Sequence, residues 1–508
     1  MFGIGGRPRV GRFVSGYRQF LVAAVTGPDR FTATQIRSCR RLWSRCRGQL
    51  MRDMRRERGT MSWDERAIAG LAKRVLVAAV GVGLLAGCTA SRPSDSPTPT
   101  QLPTMTASPS AISTRSPSPT PRPSPSPVPL RGATSISLAS VYNCAIVAGG
   151  KVACWGKGSM NSDYMAPSRT AVTMPGLSNA TAVIATQDWA CAIVGGGSVR
   201  CWGGNEEGQL GNGTTTGSST PVDVAGLSGV TSIASDGSSN CAITPSGAVD
   251  CWGRLDSGNA LTPQPVPHLA GATFLVASDS AYSYYCAIAT GGKVYCWGSL
   301  DNATGDYIAV TPVAVANVSG ATQISARPGE ACALLAPGTV KCWEIGKGSD
   351  VNVTHSTKVF TVAGVSGATG LASGIGGFCA TLGDGRLKCW GDKEPAIVPG
   401  VDGVSAVAFT TDPSGLAFST CAVVTDGKVK CWGDNTHGQL GSGTTEPSAH
   451  PVDVTNLSGV TFLAGDLDYY CAIVSSGVVK CWGSNDYASL GDGAWEDSSV
   501  PVAVLTAG

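Results

Sequence analysis

Histidine is scarce in this sequence. Its 508 residues hold four, His268, His355, His437 and His450, and none lies near another. That removes the ligand sets of most zinc sites and the commonest general base. Charged residues are 14% and aromatic residues 6% of the chain, while glycine reaches 67 and proline 30. Such a balance favours a turn-rich β protein, a biased linker, or both over a helical chain. The apolar run from Val75 to Leu85 is too short to span a bilayer. No G-x-S-x-G, H-E-x-x-H or phosphate-cradling glycine loop occurs, so the expectation is a chain that is not an enzyme, with no cofactor and no metal.

Charge is unevenly distributed. Residues 1–87 carry 17 of the 37 Lys and Arg but 5 of the 35 Asp and Glu, which leaves 20 basic and 30 acidic residues from Cys88 onward, a net of −10. An acidic mature chain is a poor partner for nucleic acid, since phosphate contacts dominate that affinity. Residues 1–60, with fourteen arginines and no lysine, are read as a basic, non-structural leader or a mis-called start. From Met61 a charged segment ends in Lys73 and Arg74, an apolar run follows, and small residues close it, which is the order of a signal peptide over 61–87. Residues 88–130 are almost wholly Ser, Thr and Pro, as in SPSPTPRPSPSPVP, a composition that stays extended and disordered. The remaining residues, 131–508, form one repeat domain.

That domain is organised by C-x9-C-W, present eight times and followed by glycine in every copy but the fifth, where Glu344 stands: Cys144 and Cys154, Cys191 and Cys201, Cys241 and Cys251, Cys286 and Cys296, Cys332 and Cys342, Cys379 and Cys389, Cys421 and Cys431, Cys471 and Cys481. In CAVVTDGKVKCWG, setting Cys421 opposite Cys431 leaves Thr425, Asp426 and Gly427 as a three-residue hairpin loop, whose third place calls for a left-handed residue. That place is glycine in every copy. Counting outward from the closing pair Val424 and Lys428 puts the cysteines at a non-hydrogen-bonded position, with Cα atoms roughly 4.5 to 5.5 Å apart and within disulfide reach. In an oxidising compartment these become eight disulfides, one per hairpin. Cys421, Val423, Val429 and Cys431 lie on one face of the hairpin, and Ala422, Val424, Lys428, Lys430 and Trp432 on the other. A sheet at least half apolar on both faces is built to be sandwiched between copies of itself. The first cysteines lie 47, 50, 45, 46, 47, 42 and 50 residues apart, a period that means a propeller of four-stranded blades.

Two resemblances follow from quoted residues. Leu85-Ala86-Gly87-Cys88, closing the signal peptide, resembles the lipobox of bacterial lipoproteins, which implies a lipid on Cys88 and an anchor at the outer face of the cell membrane. CAVVTDGKVKCWGDNTHGQLGSGT from Cys421 and CAIVGGGSVRCWGGNEEGQLGNGT from Cys191 resemble the regulator of chromosome condensation repeat, and the last copy, CWGSNDYASLGDGA, does so in part. The fold implied is an all-β, single propeller of eight blades, with seven as the alternative and the first or sixth copy as the odd one. The chain departs from the family pattern where a histidine often stands two residues before the first cysteine. Here no copy has one. The first, third, fifth and sixth copies lack GQLG. Nucleotide exchange, known in the family, is therefore among the least expected functions.

Six of the eight loops that enter the hairpins carry aromatics, giving Tyr142, Trp189, Tyr284, Tyr285, Phe378, Phe418, Tyr469 and Tyr470 as candidate binding residues on one face. Asp188, Asp279, Glu330, Asp466 and Asp468 accompany them, and the loop of the seventh copy is enlarged through Thr411–Gly415. Aromatic side chains among polar neighbours are what protein-binding faces use. The competing expectation is that these rings replace the family histidine and pack between blades. The reading is a monomeric, lipid-anchored, extracytoplasmic scaffold that binds a protein partner. A cell-wall glycan binder or a module resembling the secreted propeller-type enzyme inhibitors is the alternative, and a hydrolase comes last.

Overall fold

The computed structural model describes residues 126–158, 167–255, 258–278, 284–298, 300–301, 307–308, 311–345, 359–391, 393–411, 415 and 417–506. The expected leader, the signal peptide, Cys88, nearly all of the stalk, Asp279 and residues 412–414 fall outside them.

The described residues form a propeller of eight blades, and the seven-bladed alternative is not adopted. Blade 7 gives the pattern: strands Ala406–Thr411, Phe418–Val423, Val429–Gly433 and Ser448–Asp453 pair in sequence order, all antiparallel. The first strands of the eight are Ser135–Ser137, Ala182–Ala185, Ser232–Ser235, Phe274–Ser278, Ala321–Arg327, Ala368–Gly374, Ala406–Thr411 and Val460–Asp466. Each neighbours the next, and the last neighbours the first, so they line the axis. The first and sixth copies are regular blades.

The hairpin behaves as its sequence requires. Cys421 faces Cys431, the Val424 N–H donates to the Lys428 carbonyl at 2.8 Å, and the two Cα atoms are 4.1 Å apart. All eight disulfides form between cysteines ten residues apart, with Cα separations of 4.0 to 4.1 Å, a little under the expected range. Gly427 sits at φ +64°, and a Cβ there would lie 2.5 Å from the backbone nitrogen of Val460, in the next blade. The loop glycine thus does two things, turning the hairpin and letting adjacent blades meet backbone to backbone.

Both faces of each hairpin are buried. Cys421, Val423, Val429 and Cys431 of blade 7 pack against Tyr470, Ala472 and Trp482 of blade 8. Cys471, Ile473, Val479 and Cys481 of blade 8 pack in turn against Ala145, Ala153 and Trp155 of blade 1, which closes the ring.

Closure has a second component. Val128–Pro129 pairs antiparallel with Leu505–Thr506, which runs parallel to Ser168–Thr173, the fourth strand of blade 1. The Leu130 N–H donates to the Val504 carbonyl at 2.7 Å, and the Leu130 side chain is buried. Residues 128–130, expected as the end of the stalk, therefore belong to the propeller. A two-residue edge strand tolerates Pro129, since its missing N–H faces no ladder.

Candidate binding face

Each blade places two kinds of loop at one end of the propeller: the turn between first and second strands, and the connector from third to fourth. They are tied together. The Asp434 N–H donates to the Phe418 carbonyl at 3.0 Å, and the pairs Gly204 with Asp188 and Ser484 with Asp468 repeat the bond at 2.7 and 2.9 Å.

The connectors with GQLG share one design. Asn435 is fully buried, its Oδ1 accepts from the Leu440 N–H at 2.8 Å, and its Nδ2 donates to the carbonyls of Thr444 and Glu446 at 3.0 and 2.8 Å. Asn205 and Asn485 do the same for Leu210 and Leu490. This fixes the loop so that the carbonyl before the leucine points at the next blade. There it accepts from the indole of the C-W-G tryptophan: Trp252 from Gln209 at 2.9 Å, Trp482 from Gln439 at 3.0 Å, Trp155 from Ser489 at 2.9 Å. Blade 1 has no such connector, and the Trp202 indole donates instead to the Tyr142 hydroxyl at 3.3 Å. The fourth copy, SLDNATGDY, also lacks GQLG, in addition to the four identified from sequence. Trp343 and Trp390, which follow the fourth and fifth copies, are buried and their indole nitrogens have no partner among the described residues.

Seven of the eight candidate aromatics are not on the surface. Tyr142, Trp189, Tyr284, Tyr285, Phe378, Tyr469 and Tyr470 are between 0 and 5% exposed. Their polar atoms bridge blades. Trp189 Nε1 donates to Asn240 Oδ1 at 3.1 Å, and the Tyr285 hydroxyl lies 3.0 Å from Ser239 Oγ. The Tyr284 hydroxyl lies 2.8 Å from the carbonyls of Arg327 and Glu330, the Tyr470 hydroxyl 3.0 Å from Ser419 Oγ, and the Tyr469 hydroxyl 2.7 Å from Asn143 Oδ1. Phe378 stacks on Trp390 and takes the Arg327 guanidinium over its face at 5.2 Å. Burial pushes the Tyr142 phenol up to about 12 and raises those of Tyr284, Tyr285, Tyr469 and Tyr470 as well. The expected exposed ring is thus corrected to a set of inter-blade ties. The reason is that a wedge of eight blades leaves room at the start of each second strand, and a large ring with a polar tip fills it while finding a partner. Of the acidic neighbours, Asp468 is also buried, with Gln439 Nε2 donating to its Oδ1 at 3.2 Å, and Glu330 accepts from Arg327 Nε at 3.0 Å.

Phe418 is the exception. It is 43% exposed, and its ring lies against Gly376, where a Cβ would come within 2.4 Å of it. Beside it Ile375 is 38% exposed, with its carbonyl held by Arg327 Nη1 at 2.9 Å. Ile375 holds the turn position of Pro328 in blade 5 and Leu467 in blade 8, and nothing in its own copy marks it as exposed. Asp236 was also not singled out. It is a buried carboxyl whose pKa burial raises, opposed by hydrogen bonds from the Ser238 and Ser239 N–H groups at 2.9 and 2.7 Å.

The fold and its seams define the class of this chain, an eight-bladed propeller stapled by intrablade disulfides. The model of the regulator of chromosome condensation (RCC1) repeat matches residues 196–243 and 426–464, the two stretches holding the complete GQLG connectors. The chain is similar to Prp20p from Saccharomyces cerevisiae, at 17% identity over 60% of this chain and 85% of that one, with a TM-score of 0.45. It is similar to human WBSCR16 at 16% identity over 64% and 100%, with a TM-score of 0.46. A computationally designed protein, Ika8, is similar at 17% identity over 70% and 96%, with a TM-score of 0.44. No curated protein matches the chain by sequence.

Proposed function

We propose that this chain is an exported scaffold, anchored through lipid on Cys88, that grips a protein partner on the connector face in the sector of blades 6 and 7. The adjacent exposure of Ile375 and Phe418 carries the reading. A large aromatic and a branched aliphatic side chain side by side in loops are the usual core of a protein contact. With the other loop aromatics buried, the platform that would have suited a glycan is missing from those positions, and the reading assigns the chain no reaction.

Export is supported by the eight disulfides, which persist in oxidising compartments. No helix among the described residues is long and apolar enough to cross a membrane. The anchor is tested by labelling cells with a clickable fatty acid: the full chain should take up label and partition into detergent, and Cys88→Ser should do neither. A labelled Cys88→Ser chain overturns it.

The binding face is tested with a photo-crosslinking residue at position 418 of the full chain in intact envelope. One discrete protein adduct is expected, lost in an Ile375→Ser, Phe418→Ser variant that melts at the same temperature and kept when the exposed Trp495 of the blade 8 connector is changed instead, Trp495→Ser. Adducts equally abundant in both variants would place the contact elsewhere.

A further inference from the structure

In three seams one leucine of the connector fills the space between blades. Leu210 lies among Cys191, Cys201, Val224 and the Trp252 of the next blade, Leu440 among Cys421, Cys431, Val454 and Trp482, and Leu490 among Cys471, Cys481, Val504 and Trp155. Each of these leucines is 0% exposed. The connectors that carry them are residues 204–217, 434–447 and 484–497, whereas the connector of blade 6 is residues 391–395, GDKEP, and has no leucine to offer. The other walls of the site are present all the same: Cys379, Cys389, Val398 and Trp432 form the same cluster with the leucine missing. This seam is open as a result. Cys389 is partly exposed while the other fifteen paired cysteines are between 0 and 3% exposed, and Trp432 is partly exposed while the other seven tryptophans that follow a paired cysteine are between 0 and 9%. No acceptor among the described residues meets the Trp432 indole N–H, where the equivalent donors of Trp252, Trp482 and Trp155 take the carbonyl before the leucine. The gap also adjoins the proposed contact, since a Cβ on Gly391 would lie 2.8 Å from the Gly376 carbonyl oxygen and the Phe418 ring lies against Gly376.

We infer that the gap between blades 6 and 7 is a docking groove for a loop of a partner protein, which inserts one leucine-like side chain between the Cys379–Cys389 disulfide and Trp432 and presents a main-chain carbonyl to the Trp432 indole. The inference rests on the reading of Ile375 and Phe418 as the contact and adds what enters beside them. The occupant is read from the molecule itself, which seats this side chain and this carbonyl together at three equivalent seams. The short connector leaves a strand edge open as well. Gly203, Gly433 and Gly483 at the ends of third strands pair with Ser218, Ser448 and Ser498, whereas in blade 6 the pairing with the fourth strand stops at Cys389 with Ala396. A partner backbone therefore meets an unpaired edge beside an apolar gap. Specificity follows from both features, because a loop with a polar side chain at that place buries it against a disulfide, and one that presents no carbonyl leaves the indole donor unpaired.

The probe is a backbone-cyclised peptide, NTHGQLGSGT, copied from residues 435–444. The full chain is labelled with 5-fluorotryptophan, and the Trp432 resonance is assigned by Trp432→Phe. Adding peptide should move that resonance and leave those of Trp252 and Trp482 in place. By calorimetry, Leu440→Ala in the peptide should weaken binding about tenfold or more, the loss of a buried aliphatic group, and Trp432→Phe in the chain, which keeps a ring and removes the donor, about fivefold. A second variant fills the groove from within, with residues 392–395 replaced by a copy of 434–447. Melting as the parent does, it should lose both the peptide shift and the adduct formed at position 418. Three results overturn the inference: no selective shift at millimolar peptide, a Trp432 indole proton in the free chain that exchanges with deuterium as slowly as that of Trp482, or an adduct at 418 as abundant in the filled variant as in the parent. Self-association of the parent that the filled variant loses would seat a second copy of this chain in the groove, and overturns it too. The failures separate. If the adduct depends on Ile375 and Phe418 yet survives in the filled variant, only this inference falls. If the peptide binds as expected while the adduct ignores those two residues, the groove stands and the apolar contact falls.

Discussion

Tyr469 is the sharpest place to separate a packing role from a binding role. Its hydroxyl lies 2.7 Å from Asn143 Oδ1 and 3.1 Å from the Ala139 carbonyl, across the seam where blade 8 meets blade 1, and its ring is 1% exposed. Replacing it with Phe keeps the ring and removes one donor from a buried acceptor. Asn143 Oδ1 keeps the Ala139 N–H at 3.2 Å, so the loss is that of one hydrogen bond, about 1 kcal/mol. Replacing it with Ala removes the ring from a closed seam and costs about 3 to 5 kcal/mol. Denaturant unfolding with disulfides intact measures both. A double-mutant cycle with Asn143→Ala should return a coupling of about 0.5 to 1.5 kcal/mol between the two side chains. Zero coupling would refute the hydrogen bond as drawn. A Tyr469→Ala chain that keeps its full stability and loses its partner would refute the packing role altogether and restore the exposed aromatic ring.

Three further outcomes follow from other parts of the molecule. Gly427→Ala places a side chain at φ +64° and within 2.5 Å of Val460 N, so it should destabilise the chain by about 2 kcal/mol or more, read as a lowered denaturation midpoint. Removing one staple as Cys421→Ala with Cys431→Ala should cost about 2 to 3 kcal/mol on the loop-entropy account, because only ten residues separate the pair, and a free-thiol assay on the denatured chain should still find the other blade pairs closed. His437 Nδ1 lies 2.7 Å from Asp497 Oδ2, joining the connectors of blades 7 and 8. Burial opposes its charge, but the hydrogen bond and charge of Asp497, with Asp468 and Asp486 further off, outweigh that and raise its pKa above the ordinary 6.5. The contribution is complete below that ordinary value and is lost as pH rises through the raised one. Thermal unfolding against pH should show that loss in the parent and a flatter profile in Asp497→Asn.

What could be read from the residues was what is local. The hairpin, its glycine, the cysteine pairing and the two buried faces are all settled within about ten positions, and the blade count followed from repetition. The positions of the loop aromatics were equally legible, but their burial was not. Whether a ring at the start of a second strand meets solvent depends on the blade beside it, and Tyr469 meets Asn143 at a sequence separation of 326. The strand at Val128–Pro129 was hidden for the same reason, since its partner is Leu505–Thr506 at the other end of the chain. Ile375 sits between two glycines at a turn position that Pro328 holds in blade 5 and Leu467 in blade 8, and only its neighbour Phe418 gives it meaning.

Every staple in this propeller closes on its own hairpin, and none joins one blade to the next. Sixteen cysteines could be joined in a very large number of ways, yet here the right partner is always the nearest in the chain. Oxidation can therefore keep pace with the emergence of the chain into an oxidising compartment, each pair closing before the next cysteine arrives, with little left for an isomerase to repair. The cost of that economy falls on the ring itself, which among the described residues is held shut by non-covalent contacts.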